Sequence, residues 1–459
     1  MNIYLKYLIN GRFRFYIIDN YRHMLFKKLK FKYGTWLSVA EHIGIGMRHL
    51  FGFRRGWELR NKRKTLFLIN YEVLIKISKI LKIKLTYLEK NIIYVKQGQT
   101  GRTFKVNFPL KIDLKKIKTN SVEALLFDYK TFIDFILKLN REYYNFNESN
   151  KIISIKPIVL DQYLKELVSR GLSPSFFNNK LRYRIPGTNK IKEIYIPPEI
   201  FLDSNFIKQF GKWVGDRCGG PRKIGVANKN FTFVNEFKEF LSKSLKQDNF
   251  NFYLTCNSKF IPNKKLKNLV KNNFVISKTQ YGDYAFRIEI SNAFLRREIF
   301  DHLENNLIEY LLNSPKNVRY AYYAGLIEAE GSINKDNTIT IAFGANLYND
   351  RPYSDLQNVL KKAAKLYFLL NLDGFNPTLS RKVSNTENTK IIKYDLNLLT
   401  NSSVRKEQVK FINNTIGLFL THEDKVKKLK NLTENMDKKK NKIEGFQQPV
   451  VNVGMVGLN

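Results

Sequence analysis

Two acidic residues, Asp216 and Glu330, each follow a pair of small residues spaced four positions apart. These small residues are Gly211 and Gly215 before the first acid, and Gly325 and Ala329 before the second. On a helix, residues four apart share a face, so each segment presents a nearly bare face that a second helix can approach closely. The helix dipole disfavours an acid at the C-terminal end, and a bound divalent cation would reverse that penalty. The sequence therefore predicts a close helix pair with both acids at one end.

Such an acid pair indicates hydrolytic chemistry. Two neighbouring carboxylates repel each other unless a cation lies between them. Oxygen ligands suit Mg²⁺ or Mn²⁺, and Mg²⁺ binds through one or two carboxylates plus phosphate. A metal-bound water could then attack a phosphodiester. We therefore expect Asp216 and Glu330 to be the metal ligands and the catalytic residues. The chain has only 2 Cys and 5 His, which argues against a zinc site or a disulfide framework.

The charge of the chain points to a polyanionic partner. Lys and Arg total 79 against 40 Asp and Glu, for a net charge of +39. So large an excess destabilises a compact protein unless a polyanion offsets it, and nucleic acid is the partner that we expect. No apolar stretch is long enough to span a membrane, and the N-terminus lacks the pattern of a secretory signal. We expect a soluble, monomeric intracellular protein, in the cytoplasm, nucleoid or an organelle.

The order of elements after each acid repeats over roughly 110 residues. After Asp216 we predict strands at 223–228, 252–257 and 285–291 and helices at 233–245 and 296–312. After Glu330 we predict strands at 338–343, 378–382 and 391–398 and helices at 354–370 and 404–420. With their leading helices, both halves fit an αββαββα order. The period is too long for a solenoid, so we interpret it as a duplicated half-domain.

This duplicated pattern resembles the LAGLIDADG homing endonucleases, in the single-chain form with two motifs. The resemblance covers about residues 200–422, and it departs from the family motif where Arg217 replaces the closing glycine and where Lys212 and Trp213 lie inside the helix. It implies an α+β fold of two αββαββα halves with saddle-shaped antiparallel sheets, preceded by a mainly helical N-terminal region. It also implies a site-specific, metal-dependent double-strand DNA endonuclease encoded in an intron, with Lys229 as a basic residue near the cut site.

Alternate residues of the predicted strands should face either the core or DNA. The core-facing residues would be Phe286, Ile288, Ile290, Tyr394, Leu396 and Leu398. The outer face would carry Arg287, Glu289 and Ser291 in the first half, and Lys393, Asp395 and Asn397 in the second. A polar ribbon of this width fits the major groove of double-stranded DNA. We expect Arg222, Lys223, Arg287 and Lys393 to contact DNA.

An early helical pattern breaks at Gly44 and then resumes. Ala40, Gly44 and Leu50 occupy the small, turn and apolar positions of a helix-turn-helix. This stretch resembles the repressor-type helix-turn-helix of lambda-repressor-like regulators, and we expect Arg54 and Arg55 after it to bind DNA. An ordinary two-helix corner in an all-α domain is the alternative.

The chain is predicted to divide into five segments. They are an N-terminal helix-turn-helix-like domain (1–118), a helical spacer or second DNA-binding module (119–200), two half-domains (201–313 and 314–425) and a disordered basic tail (426–459). Within the spacer we expect one helix over 159–168 and a basic helix ending near Arg184. Two other functions remain open for the same fold, namely a DNA-binding transcription regulator and an intron RNA maturase.

Overall fold

The structure is a computed structural model. It describes residues 2–4, 13–60, 63–97, 103–108, 110–113, 152–257, 275–279, 283–312, 314–334, 338–347, 354–375, 377–386, 389–399 and 405–444. The predicted helix around 125–139 lies outside these ranges.

The N-terminal region combines five helices with strands. The helices are α1 (Asp19–Tyr33), α2 (Trp36–Ile43), α3 (Met47–Arg55), α4 (Tyr71–Leu81) and α5 (Leu85–Lys90). The strands are β1 (Asn2–Tyr4), β2 (Phe13–Ile17), β3 (Trp57–Arg60), β4 (Arg63–Leu66), β5 (Ile69–Asn70), β6 (Ile92–Gln97), β7 (Thr103–Lys105) and β8 (Lys111–Asp113). Strands β5, β2, β6 and β7 form one sheet in that order. The expectation of a mainly helical region is therefore wrong, because β2 pairs with β6 and gives the helices a sheet to pack on.

Helices α2 and α3 are separated by a short turn. The Thr35 side chain accepts a hydrogen bond from the Ser38 amide and begins α2, and Gly44 ends it in the left-handed conformation, with φ of 72°. Ala40 and Leu50 are buried, as predicted. The succession of helix, turn and helix is present. Its binding to DNA remains a prediction.

Within residues 152–203, the segment before the first half-domain contains one helix and five strands. Helix α6 (Pro157–Ser169) confirms the helix expected over 159–168. The strands are β9 (Ile152–Ser154), β10 (Ser175–Phe177), β11 (Lys180–Arg184), β12 (Ile191–Tyr195) and β13 (Glu199–Phe201). The predicted basic helix ending near Arg184 is wrong. Asn178 and Asn179 adopt φ of 48° and 59°, which makes the two-residue turn of a hairpin and starts a three-stranded antiparallel sheet, β10-β11-β12.

The helices and strands predicted for the first half-domain are present, but their described order is not αββαββα, because one strand precedes the helix Phe231–Leu245 and three strands follow it. It comprises α7 (Ser204–Asp216), β14 (Ile224–Asn228), α8 (Phe231–Leu245), β15 (Asn251–Asn257), β16 (Val275–Thr279), β17 (Tyr284–Ile290), α9 (Ala293–Leu295), a π-helical segment (Arg296–Asp301) and α10 (His302–Leu312). The sheet order is β14-β17-β15-β16, and β15 and β16 are parallel. Phe286, Ile288 and Ile290 are buried, which confirms the predicted core face.

The second predicted half-domain follows its expected order along the chain. It comprises α11 (Lys316–Glu330), β18 (Gly331–Ile333), β19 (Ile339–Leu347), α12 (Ser354–Leu372), β20 (Thr378–Thr386), β21 (Thr389–Asn397), α13 (Arg405–Asn413) and a 3₁₀ turn (Ile416–Phe419). Strands β18 and β19 pair antiparallel, and β20 and β21 form a long antiparallel hairpin. Tyr394, Leu396 and Leu398 are buried, as predicted.

The last element is α14 (Glu423–Glu444). The expectation of disorder from residue 426 is therefore wrong as far as Glu444. The helix begins with two acidic residues, which its dipole favours, and it buries Leu429 and Leu432 on one side. Lys427, Lys428 and Lys430 lie on its exposed side.

The chain divides into two compact units, one of Met1–Asn145 with Ala342–Val404 and one of Phe146–Ile341 with Arg405–Asn459. Both mix helices with mainly antiparallel sheets, in agreement with the predicted α+β class. The five predicted segment boundaries remain predictions. Among the described residues there is no helical stretch with the length and apolar character needed to span a bilayer.

Candidate functional site

The two helices that carry the acids pack with their backbones in contact. A Cβ added to Gly211 of α7 would lie 2.6 Å from the Tyr322 carbonyl of α11, and one added to Gly325 would lie 2.1 Å from the Lys208 carbonyl. One turn later, a Cβ on Gly215 would lie 2.5 Å from the Ala329 methyl. Neither Gly211 nor Gly325 can be replaced without moving backbone. The predicted close helix pair is present.

Both helices end in extended backbone directly after their acids. The Asp203 side chain begins α7 by accepting a hydrogen bond from the Phe206 amide at 2.7 Å. After Asp216, Arg217 has φ of −60° and ψ of 136°, and after Glu330, Gly331 has φ of −88° and ψ of 154°. Neither conformation requires glycine. Arg217 can therefore take the place of the motif's closing glycine, and it pairs there with Glu304 at 2.7 Å.

Asp216 lies half-buried at the end of α7. Its Oδ2 atom accepts a hydrogen bond from the Asn228 side chain at 2.6 Å, at the end of β14. Burial raises the pKa of Asp216 to about 6, although the Asn228 hydrogen bond and the charge of Lys425 act in the opposite direction. A nearby positive charge stabilises the ionised form of such a carboxylate.

Glu330 lies beside the same helix end and is exposed. A Cβ added to Gly215, the residue before Asp216, would lie 3.1 Å from the Glu330 Cγ atom. The charges of Asp216 and Glu330 both raise the pKa of Lys425. The structure thus brings the two predicted acids to one end of the helix pair. Their roles in metal binding and catalysis remain predictions.

Lys425, from the first turn of α14, is the cation at this end. Its ammonium donates hydrogen bonds to the backbone carbonyls of Ile327 and Glu328, in the last turn of α11. A cation there complements the helix dipole, and it adds to the Gly331 amide that the Ile327 carbonyl already accepts from. Burial lowers the pKa of Lys425 to about 8, against the effect of Asp216, Glu328 and Glu330. The sequence did not identify Lys425, because its partners on α11 precede it by about a hundred positions and no local pattern marks it.

A buried ion cluster lies inside the helix pair, and Glu328 is at its centre. Its side chain is fully buried, with Lys212 at 3.0 Å and Lys208 at 3.4 Å. Its Oε1 atom also accepts hydrogen bonds from the backbone amides of Thr421 and His422. Burial alone would raise the pKa of Glu328, but the charges of Lys212 and Lys208 outweigh it and hold the pKa below its usual value.

The ion cluster explains why a lysine lies inside the motif helix. It also connects α7, α8, α11 and the segment that leads into α14. Lys212, unusual inside such a helix, pairs with Glu328 across the interface and also with Glu236 of α8. The Lys208 ammonium donates to the Thr421 hydroxyl at 2.6 Å, and that hydroxyl donates to Glu236 at 2.8 Å. The segment that leads into α14 is thereby tied to α7, α8 and α11, which fixes where Lys425 points.

The predicted basic residues of the first half-domain are placed separately from the acids. Lys229 is exposed and forms an ion pair with Asp283 at 3.1 Å. The neighbour of Asp216 on this strand end is Asn228, which the sequence did not single out. Arg222 is exposed, whereas Lys223 is half-buried.

The predicted outer strand face holds a compact charge cluster. Lys223 and Arg287 both pair with Glu289. Burial would raise the pKa of Glu289, but hydrogen bonds from Lys223 and Arg287 outweigh it and lower the pKa. Glu289 lies on the predicted outer face, opposite in direction to Ile288 and Ile290, but it is fully buried there and not open to solvent. The two long basic side chains cover it.

The remaining predicted DNA-contacting residues lie in the other unit. Arg54 is half-buried, with its guanidinium 4.7 Å from the centre of the Trp36 ring, and Arg55 is exposed. Lys393 is exposed on β21, while its strand neighbour Asp395 is buried and pairs with Lys382 at 2.7 Å. Asp395, like Glu289, is on the predicted outer face but is covered there by a basic side chain.

The acids at the helix ends offer the oxygen donors that a hard divalent cation prefers. Burial raises the pKa of the half-buried Asp216, so a nearby divalent cation would stabilise its ionised form. Among the described residues there is no group of three or more His, Cys, Asp or Glu that could hold a metal. Two carboxylates and phosphate oxygens suffice for Mg²⁺, so the donor set fits, with Lys425 as a second positive group beside it.

Neither a protein-family model nor a curated protein matches the sequence. A solved structure of I-DmoI in complex with DNA and Ca is 12% identical, with a TM-score of 0.27, over 46% of this chain and 90% of that chain. A structure of mesophilic variants of the homing endonuclease I-DmoI is 12% identical, with a TM-score of 0.27, over 47% and 97%. A third, of an I-DmoI variant with nicked target DNA and Mn, is 13% identical, with a TM-score of 0.24, over 48% and 99%. Likenesses at these TM-scores do not establish a common fold.

Proposed function

We propose that this chain is a DNA endonuclease that hydrolyses phosphodiesters at the end of α7 and α11. The observation that carries the proposal is the contact of Gly215 with Ala329 and Glu330, which places Asp216 and Glu330 at one helix-pair end. A structural helix pair needs the small residues but not the acids. The net charge of +39 supports a polyanionic substrate.

In this proposal, Asp216 and Glu330 hold a divalent cation, Mg²⁺ or Mn²⁺. When bound, the cation activates water and stabilises the charge that develops on the phosphate. Asn228 fixes the orientation of the Asp216 carboxylate through its hydrogen bond of 2.6 Å. Lys425 is the residue placed to attract the phosphate, because its ammonium lies among the acids and is held by two carbonyls.

The proposed DNA contacts lie on the first half-domain and its strand ends. Lys223 and Arg287 both pair with the buried Glu289, and these ion pairs restrict the orientations of the two basic side chains. Arg222 and Lys229 are exposed and can neutralise phosphates. We propose that this surface reads a long site through the major groove, because base edges there carry a distinct donor and acceptor pattern.

One observation favours a second function, a DNA-binding regulator that does not cut. The Lys425 ammonium already supplies positive charge to Asp216 and Glu330. A divalent cation would have to share these acids with the ammonium, whose like charge disfavours it. In a regulator, Lys425 would serve only to neutralise the acid pair and cap α11.

A cleavage assay separates the two functions. The purified chain is incubated with a randomised duplex library and Mg²⁺ or Mn²⁺, and the ends are sequenced. We expect recurrent double-strand cuts that Asp216→Asn and Glu330→Gln abolish while duplex binding is retained. Glu239→Gln is the control, because Glu239 is an exposed acid on α8 paired with Lys243. Duplex binding without cleavage under either metal would reject the endonuclease and support the regulator.

A further inference from the structure

The three-stranded sheet β10-β11-β12 presents one face that is both basic and apolar. On β11, Lys180, Arg182 and Arg184 alternate with Leu181 and Tyr183, so the three cations share a face. In the strand register, Phe177 of β10 lies opposite Lys180, and Ile191 of β12 lies opposite Arg184. The cation row therefore has an apolar residue beside it at each end.

The two faces of this sheet differ in burial. Leu181 and Ile194 point to the inner face and are 0% and 4% exposed. On the outer face, Phe177 is 76% exposed and Ile191 is 72% exposed. Large apolar side chains this exposed on a sheet face are typical of a binding surface.

The positive charge of the outer face is only partly neutralised within the sheet. Glu193 accepts from both Lys180 at 2.7 Å and Arg182 at 2.5 Å, so one acid serves two bases. The Arg184 guanidinium donates only to neutral groups among its described contacts, the Thr188 carbonyl and the Asn189 side chain. The row keeps an excess of positive charge.

More positive charge adjoins the sheet. Lys192 of β12 is half-buried, and its pKa is lowered first by burial and then by the nearby charges of Arg222 and Lys223. Arg222 also influences Tyr183 of β11. Lys192 and Tyr183 are register partners on the inner face, so the charges of Arg222 and Lys223, in the turn before β14, adjoin that face and not the outer one.

We infer that this outer face binds the phosphate backbone of double-stranded DNA as a second contact surface, apart from the acid pair. The inference rests on the proposed DNA-binding function. Duplex DNA fits because it presents a dense line of negative charge, one per about 1.7 Å of axis, to a cation row that a single acid only partly neutralises. A short antiparallel ribbon is also a recurrent element in DNA grooves. Phe177 and Ile191 then pack against sugars at the ends of the row.

The salt dependence of binding tests this surface. A variant with Lys180→Gln, Arg182→Gln and Arg184→Gln is compared with the wild type on a fluorescent random-sequence duplex, in EDTA, over a range of salt. Each lost phosphate contact removes about 0.9 from the slope of log K against log salt. We expect the slope to fall by about 2 to 3, with the thermal unfolding midpoint unchanged.

The matched control removes three exposed lysines elsewhere in the same unit, with Lys243→Gln, Lys316→Gln and Lys430→Gln. A slope that falls no more than in this control overturns the inference. A single-stranded probe that binds as tightly as the duplex overturns the assignment to duplex DNA. Because EDTA prevents cleavage, a failed cleavage assay with a reduced slope rejects the endonuclease and keeps the surface, whereas no duplex binding rejects both.

Discussion

Lys212 and Glu328 form an ion pair across the interface of α7 and α11, with 3.0 Å between Nζ and Oε2. Both side chains are almost completely shielded from solvent. Breaking such a pair from one side leaves the partner charged and buried, which destabilises far more than loss of a surface pair. The helix pair is therefore stabilised by matched charge as well as by its small residues.

Glu328→Gln is expected to destabilise the chain strongly. The change removes the fully buried counter-charge of Lys208 and Lys212 and leaves the partly exposed Glu236 as their ion-pair partner, which costs about 3 to 5 kcal/mol of unfolding free energy. Urea unfolding measures this loss of unfolding free energy. Glu239→Gln, which breaks an exposed pair with Lys243, should cost less than about 1 kcal/mol. Equal losses in the two variants would contradict the buried cluster.

Gly325→Ala tests the backbone contact of the helices. Its Cβ would lie 2.1 Å from the Lys208 carbonyl, so α7 and α11 must separate. We expect a loss of about 1 to 3 kcal/mol or more, together with loss of cleavage. Gly220→Ala is the control, because nothing lies within 4 Å of its added Cβ. Thermal unfolding of both variants decides, and a wild-type midpoint for Gly325→Ala would count against the packing.

The raised pKa of Asp216 makes stability depend on pH without metal. Because the folded state holds the proton more tightly, this stabilisation is complete below about pH 4 and is lost as the pH rises through about 6. Asp216→Asn removes the effect. Its stability relative to the wild type should increase between pH 4 and 7, by at most about 3 kcal/mol, since one pKa unit is about 1.4 kcal/mol. Unfolding midpoints across this range, in EDTA, test the expectation; a constant difference would refute it.

Lys425→Gln addresses the competition between the ammonium and a divalent cation. Removing a positive charge that acts on both Asp216 and Glu330 should strengthen Mn²⁺ binding, by about tenfold or about 1.4 kcal/mol. Isothermal titration with Mn²⁺ measures the affinity. Lys430→Gln, an exposed lysine on the same helix, should leave it unchanged. Unaltered affinity in Lys425→Gln would show that the ammonium and the metal do not compete.

The sequence was informative where a local pattern carries the structure. The four-residue spacing of Gly211 with Gly215, and of Gly325 with Ala329, predicts the helix contact, because it leaves each helix one face without large side chains. The alternation of Phe286, Ile288 and Ile290 predicts the core face of β17, because side chains alternate along any strand. Both predictions are confirmed by contacts that those residues make themselves.

The sequence failed where the deciding contact is distant or unusual. The burial of Glu289 depends on Lys223, which reaches it from the turn before β14. The hairpin of β10 and β11 depends on two successive asparagines with positive φ, which a helical pattern in the flanking residues concealed. Lys425 has no local sign at all, since its partners Ile327 and Glu328 lie on a helix about a hundred positions earlier.

The hydrogen bond between Lys208 and Thr421 joins residues 213 positions apart. Contacts of such long separation form late, because the entropy of closing the loop must be overcome before they contribute. During synthesis, Lys212 can meet Glu236 early, because 24 positions separate them, whereas Lys208 can meet Thr421 only much later. The hydrogen bonds inside the helix pair are complete only after the segment that leads into α14 has been synthesised. Until Thr421 and His422 are in place, Glu328 lacks the two backbone hydrogen bonds that complete its buried surroundings, so the core of the helix pair depends on a segment made much later.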